Sequence, residues 1–136
     1  MQMKTSPTMI LQTVKKNFQE ILSNIHDLKI KTPHSVTIIG VTKYHTTQHI
    51  KAAQKAGIKN IGESRVQEAD KKLNTIKREK KTKLHLIGHL QSNKTKKAVS
   101  IFDVIQTVDS IRLTKKIGGS ELNQLPPKII TKLCTL

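Results

Sequence analysis

Lys43 is the residue best placed to do chemistry. It closes an apolar run, VTIIGVTK over residues 36–43, and Thr46 and Thr47 follow, either of which can cap a helix. A lysine at the exit of a buried strand, partly withdrawn from water, has an amine free to condense with an aldehyde as a Schiff base. Position must single it out, because the chain carries 25 Lys plus Arg, and the competing reading is a side chain snorkelling from a strand end into water. His45 and His49 lie at i and i+4 and can share a helical face. Zinc would need a third ligand or an H-E-x-x-H pattern, and neither is present, so no metal site is assigned. His85 and His89 flank a strand end and fit core or loop roles. Ser64, Ser92 and Ser110 each open a helix and read as caps rather than nucleophiles, since none has a G-x-S-x-G context.

The elements that must position these groups follow from periodicity. Ser6-Pro7 starts a helix with Ile10, Val14, Phe18, Ile21, Ile25 and Leu28 along one stripe, and Pro33 bars its continuation. The absence of polar alternation over residues 36–43 predicts a strand buried on both faces. A helix from Thr46 or Thr47 turns Ile50, Ala53 and Ala56 inward and ends at Gly57. A strand at 58–62 leads to the sequence Ser64-Arg65-Val66-Gln67, a capping box that starts a third helix. Its inner stripe is Val66, Ala69, Leu73 and Ile76, while Lys71, Lys72 and the basic run at 77–81 read as solvated surface. A strand at 84–87, a helix capped by Ser92, a strand at 102–108, a helix capped at Asp109-Ser110 and a fifth strand from Lys128 to Leu133 complete the pattern. Strands alternating with helices pair in parallel through right-handed crossovers, so the class is α/β. Pattern alone leaves an open doubly wound sheet and part of a (β/α) barrel both standing.

Composition bounds the function. At 136 residues the chain is a single domain, 1–136, with no Trp and 2% aromatic residues, so its core must be aliphatic. A formal charge of +16 raises the question of a polyanion partner. Only Arg65, Arg78 and Arg112 among the basic residues are arginines, however, and stacking rings are nearly absent, so nucleic acid is not the expected partner. The single cysteine, Cys134, excludes an intrachain disulfide and fits a reducing cytoplasm. No segment approaches the roughly 20 apolar residues of a membrane span. Neither a P-loop nor a G-x-G-x-x-G fingerprint follows any strand.

Four segments carry a resemblance. Val41-Thr42-Lys43, the segment IGESRVQE at 61–68, HLIGHLQSNK at 85–94 and FDVIQTVDS at 102–110 together resemble the pyridoxal phosphate homeostasis protein family (YggS/PROSC-like), related to the N-terminal barrel of alanine racemase. The resemblance implies a partial (β/α) TIM-type barrel of about four to five β/α units behind an N-terminal helix, truncated to the N-terminal part of the family's domain. It implies pyridoxal 5′-phosphate as cofactor, a Schiff base on the lysine matching Lys43, and Ser64 and His89 as further cofactor-binding candidates. Ser64 stands where the family has asparagine after Gly-Glu. It also implies a non-catalytic homeostasis role in the cytoplasm and a monomer at full length. The family's late Ser/Gly-rich phosphate cradle has no counterpart here, and open sheet edges offer a route to self-association. The competing functions are a degenerate remnant that binds little cofactor, a racemase-like enzyme using Lys43 as base, and a Lys-rich nucleic-acid-binding protein.

Overall fold

The computed structural model describes residues 6–28, 36–119 and 128–131. The first helix, α1 (Pro7–Asp27), begins as its sequence dictates: Ser6 Oγ accepts the Met9 N–H at 3.3 Å and Pro7 occupies the first turn. Ile10 is buried, and Val14 and Phe18 pack against the core. Further along the same stripe Ile21 and Leu28 are exposed and Ile25 is half-buried. The reason is length. At ~1.5 Å per residue, the 21-residue α1 outruns its 9-residue neighbour α2 (Thr47–Lys55), against which it packs. Pro33 and the residues after Thr131, including the last two of the fifth strand expected from Lys128 to Leu133, lie outside the described residues.

Five parallel strands follow: β1 (Gly40–Val41), β2 (Asn60–Glu63), β3 (Lys83–Leu86), β4 (Val104–Val108) and β5 (Lys128–Thr131). Their spatial order is the chain order, β1-β2-β3-β4-β5. A doubly wound sheet reverses direction at a switch point, whereas a barrel adds each strand beside the last. The sequential order therefore selects the barrel-type winding that periodicity left open. Between the strands run α2, α3 (Val66–Thr75), a single 3-10 turn (Ser92–Lys94) leading into α4 (Thr95–Ile101), and α5 (Ile111–Gly118). Gly57, at φ +90°, takes the left-handed position that ends α2. Ser110 caps α5 by accepting the Leu113 N–H at 3.2 Å.

The register divides the sheet into two faces. Ile61 pairs with Leu84, and Glu63 with Leu86, which pairs with Ile105. All five are fully or almost fully buried. Their four apolar members join Ala53, Ala69, Ala98, Leu113 and Ile117 from the helices in one aliphatic core. The other face carries Val41, Gly62, His85 and Val104 in register. There the imidazole of His85 bridges Asn60 Oδ1 and Gln106 Nε2, each at 3.0 Å, across three strands. Burial holds His85 below its ordinary pKa, and an Nε2–H tautomer satisfies both neighbours.

Three expectations need correction. The run at 36–43 is not buried on both faces: Val36, ahead of β1, is 53% and Val41, in β1, 47% exposed, and among the described strands β1 is an edge strand that pairs only with β2. Ser64 does not cap α3. The cap position is Arg65, and no side-chain cap bond forms, because the ladder continues through Ile87 N–H to Glu63 O (2.9 Å) and keeps the chain extended. Ser92 likewise lies inside the 3-10 turn instead of capping a helix.

Candidate functional site

At the carboxyl ends of β1, β2 and β3 the three strand-to-helix connections enclose a cleft of about 440 Å³. Loops and helix starts converge there in every parallel βα array, so ligands can be met by side chains from several units at once. Lys43 and Tyr44 enter from β1, Ser64 and Arg65 from β2, and His89 and Lys94 from β3. The three residues singled out in the sequence, Lys43, Ser64 and His89, thus line one space. A second cavity, of about 420 Å³, opens at the amino ends of the strands beside Lys59, Lys83 and His85.

The lining is cationic, and among the described lining residues none is a carboxylate. The Lys43 side chain is exposed, its ammonium 5.9 Å from the centre of the Tyr44 ring, and the Arg65 guanidinium stands 5.8 Å from the same ring. Ser64 is half-buried. His89 is exposed, with Nδ1 3.2 Å from Asp109 Oδ2, which turns one ring nitrogen toward an acceptor. His45 and His49 do share a face, with ring centres 4.4 Å apart, and His49 Nδ1 meets the Thr46 hydroxyl at 3.1 Å. Burial first, then the neighbouring His45, lowers the His49 pKa. Among the described residues no group of three or more His, Cys, Asp or Glu is gathered to hold a metal.

What the sequence reading missed lies directly beneath Lys43. Lys72, expected on the solvated surface, is 8% exposed. Its ammonium reaches Glu63 Oε1 at 2.9 Å, Glu68 Oε1 at 2.8 Å and the Thr42 carbonyl at 2.8 Å, so each of its three protons has an acceptor. Glu63 has no exposed surface; its Oε1 also accepts the Thr42 hydroxyl, and its Oε2 has no partner among the described residues. Glu68 in turn accepts the Tyr44 N–H at 2.9 Å, and the Lys72 hydrogen bond holds its carboxyl below the usual carboxylate range. One signal pointed here. Lys72 stands three residues after Ala69 and four before Ile76, in phase with the inner stripe, and four residues after Glu68, the spacing of a helical ion pair.

The chain is similar to several known proteins. The pyridoxal phosphate homeostasis protein of Synechocystis sp. is 38% identical over 100 residues, which is 72% of this chain and 46% of that protein. The protein of the same name from Escherichia coli K12 is 32% identical over 99 residues, covering 71% of this chain and 42% of its own. Among solved structures, PipY of Synechococcus elongatus PCC7942 with PLP bound superposes with a TM-score of 0.66 at 37% identity, covering 76% of this chain and 45% of that one. A protein of unknown function from Bifidobacterium adolescentis gives 0.67 at 27% identity, over 85% of this chain and 51% of its own. No family model matches. The chain spans about half the length of the curated relatives it matches.

Proposed function

Because the chain belongs to the pyridoxal phosphate homeostasis protein family, we propose that its cleft binds pyridoxal 5′-phosphate through Lys43. In this reading the protein holds the cofactor for intracellular homeostasis without turning over a substrate. The observation that carries it is the convergence of Lys43, Ser64 and His89 on one cleft at the carboxyl ends of three parallel strands. The cleft fits the ligand chemically. Its volume of about 440 Å³ lies in the roughly 300–1,000 Å³ range of small-molecule sites. Its cationic lining suits an anionic ligand, and Lys43 presents a primary amine to the open side.

When bound, the cofactor supplies an aldehyde. Lys43 would hold it through its primary amine, a group able to condense with an aldehyde. Arg65 and Lys94 offer charge to the ligand's anionic group, Ser64 a hydroxyl, and His89 an imidazole oriented by Asp109. The test is borohydride trapping of the full chain with pyridoxal 5′-phosphate, followed by peptide mapping. The reduced adduct is expected at Lys43 at substoichiometric cofactor, and Lys43→Ala removes it. Labelling spread evenly over surface lysines, or unchanged total labelling in Lys43→Ala, overturns the assignment.

A further inference from the structure

Lys43 lies in a turn that its own sequence does not favour. The His45 N–H donates to the Thr42 carbonyl at 3.0 Å, closing a four-residue turn over Thr42-Lys43-Tyr44-His45. Tyr44, the third residue, has φ +63°, and among the described residues it is the one non-glycine residue in that region. A turn with positive φ only at its third position is of type II, which ordinarily requires glycine or asparagine there. A tyrosine would prefer type I, in which the peptide between Lys43 and Tyr44 is flipped by about 180°. Flipping that peptide leaves the Cα atoms nearly in place but swings the Lys43 carbonyl carbon, which tilts the Cα–Cβ bond at the base of its long side chain.

The buried cluster beneath the turn opposes the flip. Glu68 Oε1 accepts the Tyr44 N–H at 2.9 Å; after a flip it would face the Lys43 carbonyl oxygen, setting an acceptor against an acceptor. Lys72 fastens the other end by donating to the Thr42 carbonyl at 2.8 Å while holding Glu68 in place at 2.8 Å. The Thr42 N–H is tied to the Gly62 carbonyl at 3.0 Å and its hydroxyl to Glu63. Thus every hydrogen bond that fixes the peptides flanking Lys43 ends on β2, on the turn itself or on the face of α3.

We propose that Glu68 and Lys72 are positioning residues that select the type II turn at Lys43 and thereby aim its amine into the cleft. This rests on the reading of Lys43 as the cofactor-bearing lysine, and the test separates the two. Two measurements are made on the full chain: the backbone chemical shifts of Tyr44, which report positive φ without any ligand, and the yield of borohydride-trapped pyridoxal 5′-phosphate mapped to Lys43.

In Glu68→Ala, Tyr44 is expected to leave the left-handed pattern. Trapping at Lys43 should fall by about tenfold, the scale of a misaimed reacting group. The thermal transition should stay close to that of the native chain, because Lys72 keeps Glu63 and Thr42. Adding Tyr44→Gly, which favours type II unaided, should restore the yield to within about threefold. A merely structural role for Glu68 gives no such rescue. If Tyr44 keeps positive φ in Glu68→Ala with undiminished trapping, or if Tyr44→Gly rescues nothing, the inference is overturned. If the native chain traps nothing at Lys43, the cofactor assignment fails, and the Tyr44 shifts still decide whether Glu68 selects the turn.

Discussion

Removing the ammonium of Lys72 should be among the most damaging single changes in this chain. Lys72→Met keeps the aliphatic stem and the volume, so the loss is electrostatic. Glu63 would remain with no exposed surface, one oxygen already without a partner and the other reduced to the Thr42 hydroxyl. Breaking one side of a buried pair costs about 3–5 kcal/mol, because the surviving charge is stranded in a poor solvent. The Glu68 arm adds little, since an i, i+4 pair at a partly exposed position contributes ~0.3–0.5 kcal/mol. Against a total stability of about 5–15 kcal/mol for a domain, the variant loses at least about a fifth of it. The double variant Glu63→Leu with Lys72→Met removes both charges. It leaves mainly the Thr42 hydroxyl without its acceptor, worth ~1 kcal/mol. Urea unfolding of the three proteins at one pH gives the comparison. The single variant should lose ~3–5 kcal/mol and the double recover most of it. A loss below ~1 kcal/mol in Lys72→Met, or a double variant no better than the single, would refute the view that Lys72 and Glu63 depend on each other as a buried pair.

Two further outcomes follow from geometry and titration. A Cβ on Gly88 would lie 2.1 Å from the Ser64 carbonyl oxygen and 2.8 Å from its Cα, both backbone atoms. Gly88→Ala must therefore push the β2–α3 connection off the β3–α4 connection. We expect a loss of ~1–3 kcal/mol or more, read by thermal melt, together with reduced trapping at Lys43. The His49 pKa is lowered from 6.5 by burial, then by His45 and Lys72. The unfolded chain thus takes up the proton more readily than the native one. The stability His49 contributes is complete above pH 6.5 and declines as pH falls through its lowered native pKa. His85, also lowered, acts in the same direction, so the comparison is with His49→Gln, whose unfolding midpoint should fall less between pH 7.5 and 5.5. Equal falls would show that His49 is not responsible.

Much of the architecture is legible because it rests on short-range rules. The Ser6-Pro7 start, the glycine at 57 and the Ser110 cap are local chemistry, and each appears where the residues demand it. Strand winding was not legible from periodicity, which tells buried from exposed, because the order β1 to β5 is a property of the whole sheet; only the resemblance carried by the four segments implied the barrel. Residues 36–43 misled for a related reason. An uninterrupted apolar run implies cover on two faces, but Val41 sits on the edge strand of the described sheet and is 47% exposed. Ser64 satisfied the capping rule locally, but pairing beyond Glu63 took precedence. Lys72 was assigned to water by residue type, since lysine is rarely interior. Its partner Glu63 lies on another element nine residues earlier, and nothing in a linear reading says that the two will meet.

The sequential strand order also has a kinetic meaning. Each ladder joins residues about twenty positions apart, such as Gly40 with Ile61, Ile61 with Leu84 and His85 with Val104. No described strand waits for a distant partner, so the entropy of closing each loop is modest and similar from one unit to the next. Such a chain can grow vectorially, each β/α unit docking on the one made just before it as synthesis proceeds, in the nearest-neighbour manner of repeat proteins.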